Sequence, residues 1–284
     1  FWGAVNSVRD QLERSTQSLT KSGTKLISIS ANDLYTKSNY QDFQRYTEVD
    51  MAIAADPDAT LPSLLEAVKR LITGDRKRVF EERGKKLAAA SAQALEQART
   101  AATYAWDASP ISTARLSAEL WNVVKDKDWA LAGGGGGRLW NIDKHYQTLG
   151  GGGVAGVGSG LPTAVGAALA HRKYGRLVVS IQNDGDFMYA PGAMWTAAHH
   201  RIPLLSVMHN NRAYHQEVMH IQRMANRRQR GIINAGIGTK IEDPNIDYAT
   251  VVRGLGVHGE GPITDPKDLG PALKRAVEIV MRGE

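Results

Sequence analysis

The sequence of 284 residues contains no cysteine. Disulfides, thiolate metal sites and cysteine nucleophiles are therefore excluded as the basis of its chemistry. The sequence also has no run of about 18 apolar residues, so it predicts no membrane-spanning helix. The net charge of +6 is modest for this length, and no basic motif interleaved with aromatic residues indicates binding to nucleic acid. These absences favour a globular enzyme or binding protein, which we expect in the cytoplasm.

Short apolar segments alternate with helical patterns along the chain, and this alternation is typical of an α/β fold. Residues 25–30 and 51–54 have the pattern of strands, and leucines recur at helical spacing over 61–71. We interpret residues 1–74 as the tail end of a first α/β domain, in which the polar stretch 1–23 is compatible with a helix. Residues 75–109 are rich in charged residues and alanine, which predicts an exposed connecting helix and linker.

A second and complete α/β unit is predicted over residues 110–284. Helices are expected at 113–124, 161–171 and 190–200, and strands at 129–132, 177–182 and 204–209. A helix, a strand-like segment and another helix are expected over 245–282. Strands alternating with helices of about ten residues predict a doubly wound parallel sheet with helices on both faces.

Three segments that suit a diphosphate held through a metal ion lie at the ends of these elements. The stretch GVGSGLP at 156–162 precedes a helix, NDGD at 183–186 follows one strand, and the asparagine pair at 210–211 follows the next. In an open parallel sheet, ligands bind outside the carboxyl ends of the strands. Mg²⁺ prefers oxygen ligands and commonly takes a carboxylate together with phosphate oxygens. Asp184 would supply the carboxylate and Asn211 a neutral oxygen, while Gly185 would let the backbone approach the phosphates.

The spacing of these segments resembles a known motif. Asn211 lies 27 positions after Asp184, and the interval encloses one helix and one strand. This is similar to the motif of thiamine-diphosphate-dependent enzymes, which opens with Gly-Asp-Gly and closes on paired asparagines. Residues 156–170 resemble the preceding segment of the acetolactate synthases and 2-oxo acid decarboxylases, and residues 193–203 resemble benzoylformate decarboxylases in particular. The resemblance covers most of residues 110–220 and, more loosely, residues 25–72. It implies that residues 1–74 are the end of the family's Rossmann-like central domain.

The resemblance implies thiamine diphosphate and Mg²⁺ as cofactors. The implied Mg²⁺ ligands are Asp184, the side chain of Asn211 and the backbone carbonyl of Ala213. Val157 falls where the family places a bulky apolar residue under the bent cofactor. The other residues implied to lie against the cofactor are Gly135, Gly136, Gly137, Ala155, Gly158, Asn183, Gly185 and Asp186.

Two further residues are candidates for catalysis, and one residue departs from the motif. Glu217 matches a glutamate that pyruvate decarboxylases use near the reacting carbon, although a solvated helix carboxylate is the alternative. His215 is a candidate for proton transfer, with a surface role as the alternative. Asn183 replaces the first glycine of the motif, and asparagine tolerates left-handed backbone conformations, so we expect the turn to survive.

The resemblance implies a thiamine diphosphate- and Mg²⁺-dependent decarboxylase or carboligase acting on 2-oxo acids, that is, a lyase or transferase of C–C bonds. This chain would supply the diphosphate-binding half of the active site. In the family, a glutamate that activates the cofactor belongs to an amino-terminal domain, so we expect a second chain or domain to provide it. A homodimer or homotetramer is expected for the same reason.

Other functions stay open at this point. The GVGSG stretch could indicate a nicotinamide-dependent oxidoreductase, but Leu161 stands where that pattern needs a small residue. A non-catalytic or regulatory partner could retain the fold of the cofactor domain. The sequence does not decide whether a flavin is bound, or whether an acyl-CoA substrate meets the arginines Arg223, Arg227, Arg228 and Arg230.

Overall fold

The computed structural model describes residues 8–10, 15–17, 21–31, 49–133, 139–149 and 157–283. The strands are β1 (Val8–Asp10), β2 (Ser15–Gln17), β3 (Ile27–Ser30), β4 (Met51–Ala54), β5 (Trp129–Ala132), β6 (Thr148–Leu149), β7 (Leu177–Asn183) and β8 (Leu205–His209). The helices are α1 (Pro57–Arg70), α2 (Gly74–Thr103), α3 (Thr113–Val124), α4 (Gly160–Arg172), α5 (Asp184–Tyr189), α6 (Gly192–His199), α7 (His215–Arg227), α8 (Tyr248–Gly254) and α9 (Pro266–Met281). The chain divides into two compact units, Phe1–Leu87 and Ala88–Glu284. That division falls within α2, and the domain boundaries drawn from the sequence at residues 74 and 109 stay predictions.

The first unit has a parallel strand pair followed by a capped helix. β3 pairs with β4 in parallel, with Ile27 opposite Met51. α1 begins after Asp56, whose carboxylate accepts hydrogen bonds from the backbone N–H groups of Asp58 and Ala59, and this satisfies donors that a helix start leaves without partners. The strands and the helix predicted over 25–71 are confirmed. The helix suggested for residues 1–23 is wrong, because β1 and β2 form an antiparallel pair there.

α2 is a long and exposed helix. It runs for 30 residues, all of which the structure describes, and Ala102 is the buried one among them. Its surface holds local ion pairs such as that between Arg78 and Asp75, with Nη2 and Oδ1 2.7 Å apart. The predicted helix in this region is confirmed, whereas its role as a connection between domains stays a prediction. No helix in the described part of the chain combines the length and the apolar character needed to cross a membrane.

The second unit is built on a four-stranded parallel sheet in the order β6-β5-β7-β8. Alternate residues of β5 point to opposite faces, as expected for a strand. Trp129 and Leu131 belong to a buried cluster with side chains of α3 and α9, whereas Ala130 and Ala132 belong to a second cluster with side chains of α4 and α6. Helices therefore cover both faces, and the predicted doubly wound sheet is confirmed.

The two faces of the sheet are packed with side chains of different size. On one face Trp129 and Trp140 stack edge to face with their centroids 5.2 Å apart, and Trp121 lies 5.8 Å from Trp129. The indole N–H of Trp140 donates to the carbonyl of Ser117 at 3.1 Å. On the other face the buried alanines are Ala130, Ala132, Ala164, Ala168 and Ala197. Because the distance between packed elements depends on the side chains at the contact, these small side chains allow α4 and α6 a close approach to the sheet.

A network of aromatic and charged groups lies at the amino ends of β5 and β7. The Arg176 guanidinium lies against the rings of Tyr146 and Tyr174. Its Cζ is 3.5 Å from the first ring centroid and 4.4 Å from the second. Its Nε donates to Asp128 Oδ2 at 3.1 Å. Its Nη1 lies 3.2 Å from Nδ1 of the buried His171. Burial, followed by the charge of Arg176, lowers the pKa of His171.

Two elements of the second unit differ from the sequence prediction. The segment between α8 and α9 contains no strand over residues 255–265, all of which are described. Gly256 and Gly261 have φ angles of +86° and +145° there, and Pro262 lacks a backbone donor, so a regular strand is interrupted. The second difference is α5, which begins at Asp184, where the sequence predicts a turn over 183–186 with a helix starting only after Asp186.

Candidate functional site

The candidate site lies at the carboxyl edge of the parallel sheet in the second unit. The last residues of β7 and β8 are register partners, with Asn183 opposite His209. Asp184 follows β7 directly, and Asn210 and Asn211 follow β8. The two segments that the sequence placed on one side of the sheet therefore leave neighbouring strands at the same level.

Asp184 is a buried carboxylate without a hydrogen-bonding partner. The residue is 0% exposed, and neither Oδ1 nor Oδ2 has a partner among the residues that the structure describes. Burying an ionised carboxylate that nothing compensates costs several kcal/mol or more. A cation at these two oxygens would offset that cost.

The asparagine pair after β8 forms two successive side-chain turns. Asn210 Oδ1 accepts from the backbone N–H of Arg212 at 3.2 Å, and Asn211 Oδ1 accepts from that of Ala213 at 3.0 Å. Arg212 has a left-handed backbone with φ of +56°. These bonds hold the amide oxygen of Asn211 in one orientation, and that oxygen keeps a second lone pair for another partner.

A backbone ladder fixes the loop that follows Asn211. The N–H of Tyr214 donates to the carbonyl of Thr239 at 2.8 Å, and the N–H of Ile241 donates to the carbonyl of Arg212 at 2.8 Å. Thr239 is buried, and its hydroxyl donates to the carbonyl of Ala235 at 3.1 Å. The loop of residues 211–214 is thus paired with a second segment from residue 239 to residue 241.

The ring of Tyr214 packs against Gly185, the residue after Asp184, and Tyr189 packs against that ring. A Cβ added to Gly185 would lie 2.5 Å from Cε1 of Tyr214, so the ring occupies the space that the missing side chain leaves. The ring of Tyr189 stands edge to face with that of Tyr214, with centroids 6.1 Å apart. Burial, followed by the proximity of Tyr189 and of Asp184, raises the pKa of Tyr214.

Tyr248 is another tyrosine close enough to Asp184 to be affected by its charge. Burial, followed by the charge of Asp184, raises its pKa to about 12. Its ring meets Phe187 edge to face at 5.6 Å, and its buried hydroxyl has no partner in the described part of the chain. Tyr214 and Tyr248 therefore both lie close enough to Asp184 for its charge to contribute to their raised pKa values.

Asp186 connects α5 to the glycine-rich loop before α4. Its Oδ1 accepts a short hydrogen bond from the N–H of Gly158, and its Oδ2 accepts from the N–H of Gly160 at 3.2 Å. Gln182 Nε2 donates to the same Oδ2 at 2.6 Å. Gly158 has φ of +92°, a conformation that side chains other than that of glycine rarely allow.

Comparison with known proteins identifies the family of this fold and site. Residues 133–282 match the family described as thiamine pyrophosphate enzyme, C-terminal TPP binding domain. The chain belongs to the thiamine pyrophosphate enzymes. The expectation drawn from the sequence motif is therefore confirmed at the level of the family, and thiamine pyrophosphate is the cofactor that this family domain binds.

Individual relatives match about half of the chain. Benzoylformate decarboxylase of Pseudomonas aeruginosa is 33% identical over 124 residues, which are 44% of this chain and 21% of that protein. A Mycobacterium tuberculosis protein with the provisional name acetolactate synthase large subunit IlvX is 30% identical over 131 residues, 46% of this chain and 24% of that protein. A solved structure of the thiamine diphosphate-dependent 4-hydroxybenzoylformate decarboxylase of Rhodococcus jostii aligns with a TM-score of 0.49 at 26% identity, covering 59% of this chain and 30% of that one. The aligned regions thus span about a fifth to a third of these proteins.

The donor set at the sheet edge suits the metal that such a domain would use. Within the described ranges, no group of three or more His, Asp or Glu side chains could hold a metal ion. Zinc sites are commonly built from sulfur and nitrogen ligands, whereas Mg²⁺ binds one or two carboxylates and completes its shell with neutral and phosphate oxygens. Asp184 together with the amide oxygen of Asn211 and the carbonyl oxygen of Ala213, which follow the neighbouring strand, is a set of the second kind.

Several residues predicted for the site lie within the described part of the chain. Val157 is 51% exposed, and its place under the cofactor stays a prediction. Glu217 and His215 are both exposed, on the first turn of α7. The predicted residues Gly135, Gly136, Gly137 and Ala155 lie outside the described residues.

One explanation given from the sequence is wrong. Asn183 was expected to be tolerated because asparagine can adopt a left-handed backbone, but its φ and ψ are −85° and 145°, an extended conformation. Any residue reaches this region, so the turn does not need glycine at this position. The replacement therefore causes no backbone strain.

Three residues of the site were missed by sequence reasoning. Tyr214 directly follows the predicted ligand Ala213, and this adjacency was a signal that could have been used. Gln182 is the penultimate residue of β7, and the sequence pattern there indicates only a buried strand. Tyr248 lies far along the chain, and the sequence contains no signal that brings it to Asp184.

Proposed function

We propose that this chain supplies the diphosphate- and Mg²⁺-binding half of a thiamine diphosphate-dependent enzyme that decarboxylates or joins 2-oxo acids. The observation that supports this most strongly is the buried carboxylate of Asp184, whose two oxygens lack partners in the described structure. The membership of the chain in the thiamine pyrophosphate enzymes gives the identity of the diphosphate.

The proposed metal site uses three groups of this chain. Asp184 would contribute the charge, because a carboxylate is the strongest ligand for a hard dication in this donor set. Asn211 would contribute its amide oxygen, whose hydrogen bond with the N–H of Ala213 leaves one lone pair for the metal. The backbone carbonyl of Ala213 is the third proposed ligand, and phosphate oxygens and water would complete the shell.

The cofactor, when bound, supplies an electron sink for breaking or forming a C–C bond beside a carbonyl group. The residues of this chain would orient it and manage protons. Glu217 and His215 are the candidates for proton transfer, because they begin the helix that follows the proposed metal ligands and both are exposed. The named activities of the two curated relatives, benzoylformate decarboxylase and acetolactate synthase, support 2-oxo acids as the substrate class.

The remaining parts of the proposal concern what lies around this chain. A second chain or domain would provide the glutamate that activates the cofactor, in a homodimer or homotetramer, and the assembly would work in the cytoplasm. The alternative is a non-catalytic or regulatory partner that retains the fold. The loss of the first glycine of the motif would favour that alternative, but the extended backbone of Asn183 weakens this argument.

A calorimetric titration tests the metal-dependent half of the proposal. We expect wild-type protein to bind inorganic pyrophosphate when Mg²⁺ is present and not when Mg²⁺ is chelated. Asp184→Asn keeps the shape of the side chain but removes its charge, so it should weaken this binding by at least about tenfold. Asp126→Asn makes the same change of charge at an exposed position before β5 and should leave the affinity unchanged. Binding by neither wild-type protein nor control would favour the non-catalytic alternative.

A further inference from the structure

α5 holds the glycine-rich loop of residues 157–160 with two of its side chains. The Asp186 carboxylate accepts hydrogen bonds from the backbone N–H groups of Gly158 and Gly160. Tyr189, at the end of the same helix, packs against Gly158 so closely that an added Cβ would lie 2.6 Å from the Tyr189 Cβ. The loop is therefore held at Gly158 by a hydrogen bond to Asp186 and by an apolar contact with Tyr189.

The orientation of Asp186 is itself fixed from the sheet. Gln182 is 2% exposed, and its Nε2 donates to Asp186 Oδ2 at 2.6 Å. Gly160 is the first residue of α4, where helix N–H groups lack partners within the helix. A carboxylate at this position is favoured by both the free N–H groups and the helix dipole. Asp186 thus joins β7, the loop and the start of α4 through a single carboxylate.

In this arrangement the Asp186 carboxylate, an anion of the chain itself, accepts the hydrogen bonds of the glycine-rich loop. Glycine-rich loops before a helix are commonly phosphate sites because their N–H groups are free. Here the N–H groups of Gly158 and Gly160 already donate to Asp186. A phosphate at the same amides would lie against a carboxylate, and two like charges at close range repel each other. The loop therefore presents its apolar residue, Val157, rather than an anion site.

We propose that Asp186 is a positioning residue, which holds the loop of residues 157–160 and thereby sets the place of Val157, without contacting metal or diphosphate. The proposal rests on the proposed function, in which Val157 supports the organic part of the cofactor. Because Asp184 and Asp186 belong to the same short helix, the proposed metal ligand and the Val157 loop are held in a fixed relation. The diphosphate end and the ring end of the cofactor would be aligned by one structural element.

The test combines a measurement on the loop with two binding measurements. Asp186→Asn keeps the size of the side chain but replaces one acceptor oxygen by a donor that faces backbone N–H groups. In the full chain without cofactor, we expect exchange of the Gly158 and Gly160 amides, followed by NMR, to become at least about tenfold faster than in wild type. The Kd for pyrophosphate with Mg²⁺ should stay within about threefold, while the Kd for thiamine diphosphate with Mg²⁺ should rise by about tenfold or more.

A second variant changes the contact without changing the charge. In Gly160→Ala, the added Cβ would collide with Asp186 Oδ2 and push the loop from the carboxylate, so the same pattern of effects is expected. Asp126→Asn is the control for charge, and thermal unfolding verifies that each variant is folded.

The outcomes separate the positioning role from its alternatives. An equal loss of affinity for pyrophosphate and thiamine diphosphate would overturn the proposal, because it would indicate a direct phosphate contact or general damage. Unchanged amide exchange in folded Asp186→Asn, or an unchanged ratio of the two Kd values, would overturn it as well. Failure of wild-type protein to bind pyrophosphate with Mg²⁺ would contradict the proposed function instead, and amide exchange would still decide whether Asp186 holds the loop.

Discussion

Asn183 and His209 are the last register partners of the parallel ladder between β7 and β8. The residue after Asn183 is the buried Asp184, and the residues after His209 are the asparagine pair. One pairing of strands therefore places a carboxylate and two amide side chains at a single edge of the sheet, and this edge is where α/β proteins of this type bind ligands.

Replacing Asp184 should change stability in opposite directions with and without metal. Without metal, Asp184→Asn should raise the free energy of unfolding by about 1–3 kcal/mol, because an uncompensated charge is removed from a buried position. With Mg²⁺ and pyrophosphate, wild-type protein should be stabilised and the variant should not, since ligands that bind the folded state stabilise it. Thermal unfolding under the two conditions measures both effects, and equal stabilisation of the two proteins by Mg²⁺ and pyrophosphate would rule out Asp184 as the metal ligand.

The close contact between Gly185 and Tyr214 predicts a variant pair with a strong interaction. Gly185→Ala places a Cβ about 2.5 Å from the Tyr214 ring, so it should destabilise the protein by roughly 1–3 kcal/mol. In a Tyr214→Ala background the same substitution should cost much less, because the obstructing ring is absent. Denaturant unfolding of the four proteins in this double-mutant cycle gives the coupling. Additive effects would show that the ring does not limit the space at Gly185.

His171 should make stability depend on pH on the acid side. Burial, followed by the charge of Arg176, lowers its pKa from the ordinary value of 6.5, so the folded protein favours the neutral ring. Its contribution is present above that ordinary value and is lost as the pH falls through the folded pKa. In His171→Gln the free energy of unfolding should therefore decline less than in wild type between neutral pH and acid pH. The exposed His220→Gln is the matched control, and parallel declines in all three proteins would contradict the assignment.

Tyr248 should have the corresponding effect on the alkaline side. Its pKa is raised from 10 to about 12 by burial and then by Asp184, so the unfolded chain ionises first. The contribution of Tyr248 is complete below pH 10 and is lost as the pH rises through the folded value near 12. Tyr248→Phe should remove this loss, and near pH 8 it should change the free energy of unfolding by less than about 1 kcal/mol, because the hydroxyl has no partner in the described structure.

The measurement for Tyr248 is denaturant unfolding at neutral and alkaline pH, together with absorbance titration of tyrosinate. The exposed Tyr104→Phe is the control. A tyrosine that ionises near pH 10 and disappears in Tyr248→Phe would show that the folded pKa is not raised.

The sequence predicted elements where local pattern and burial agree. β4, α3 and β5 have the predicted bounds, because apolar runs or helical spacing end there at clear turn or cap residues such as Ser112. The metal ligands proposed for the site were also accessible from sequence, since strand ends place Asp184 and Asn211 at one edge. In both cases the information is local or depends on neighbouring strands.

Prediction was weaker where a distant contact decides the local structure. The sequence predicts a turn at 183–186, whereas the structure has α5 there, with Asp186 and Tyr189 held against the glycine-rich loop. Tyr248, whose pKa Asp184 helps to raise, comes from a helix more than 60 residues away along the chain. The strand-like segment predicted within 245–282 is absent, because Gly261 and Pro262 interrupt the stretch between α8 and α9.

The two faces of the sheet in the second unit should respond differently to substitution, because one is packed with tryptophans and the other with alanines. On the tryptophan face, loss of a large side chain leaves a cavity, which lowers the free energy of unfolding. On the alanine face, even one added methyl group at Ala164 or Ala168 meets closely packed neighbours, and the available response is a shift of α4. Because α4 begins at Gly160, such a shift reaches the glycine-rich loop directly. Substitutions on the tryptophan face would thus alter thermal stability. Substitutions on the alanine face would alter the position of the glycine-rich loop and, through it, the fit of the ligand.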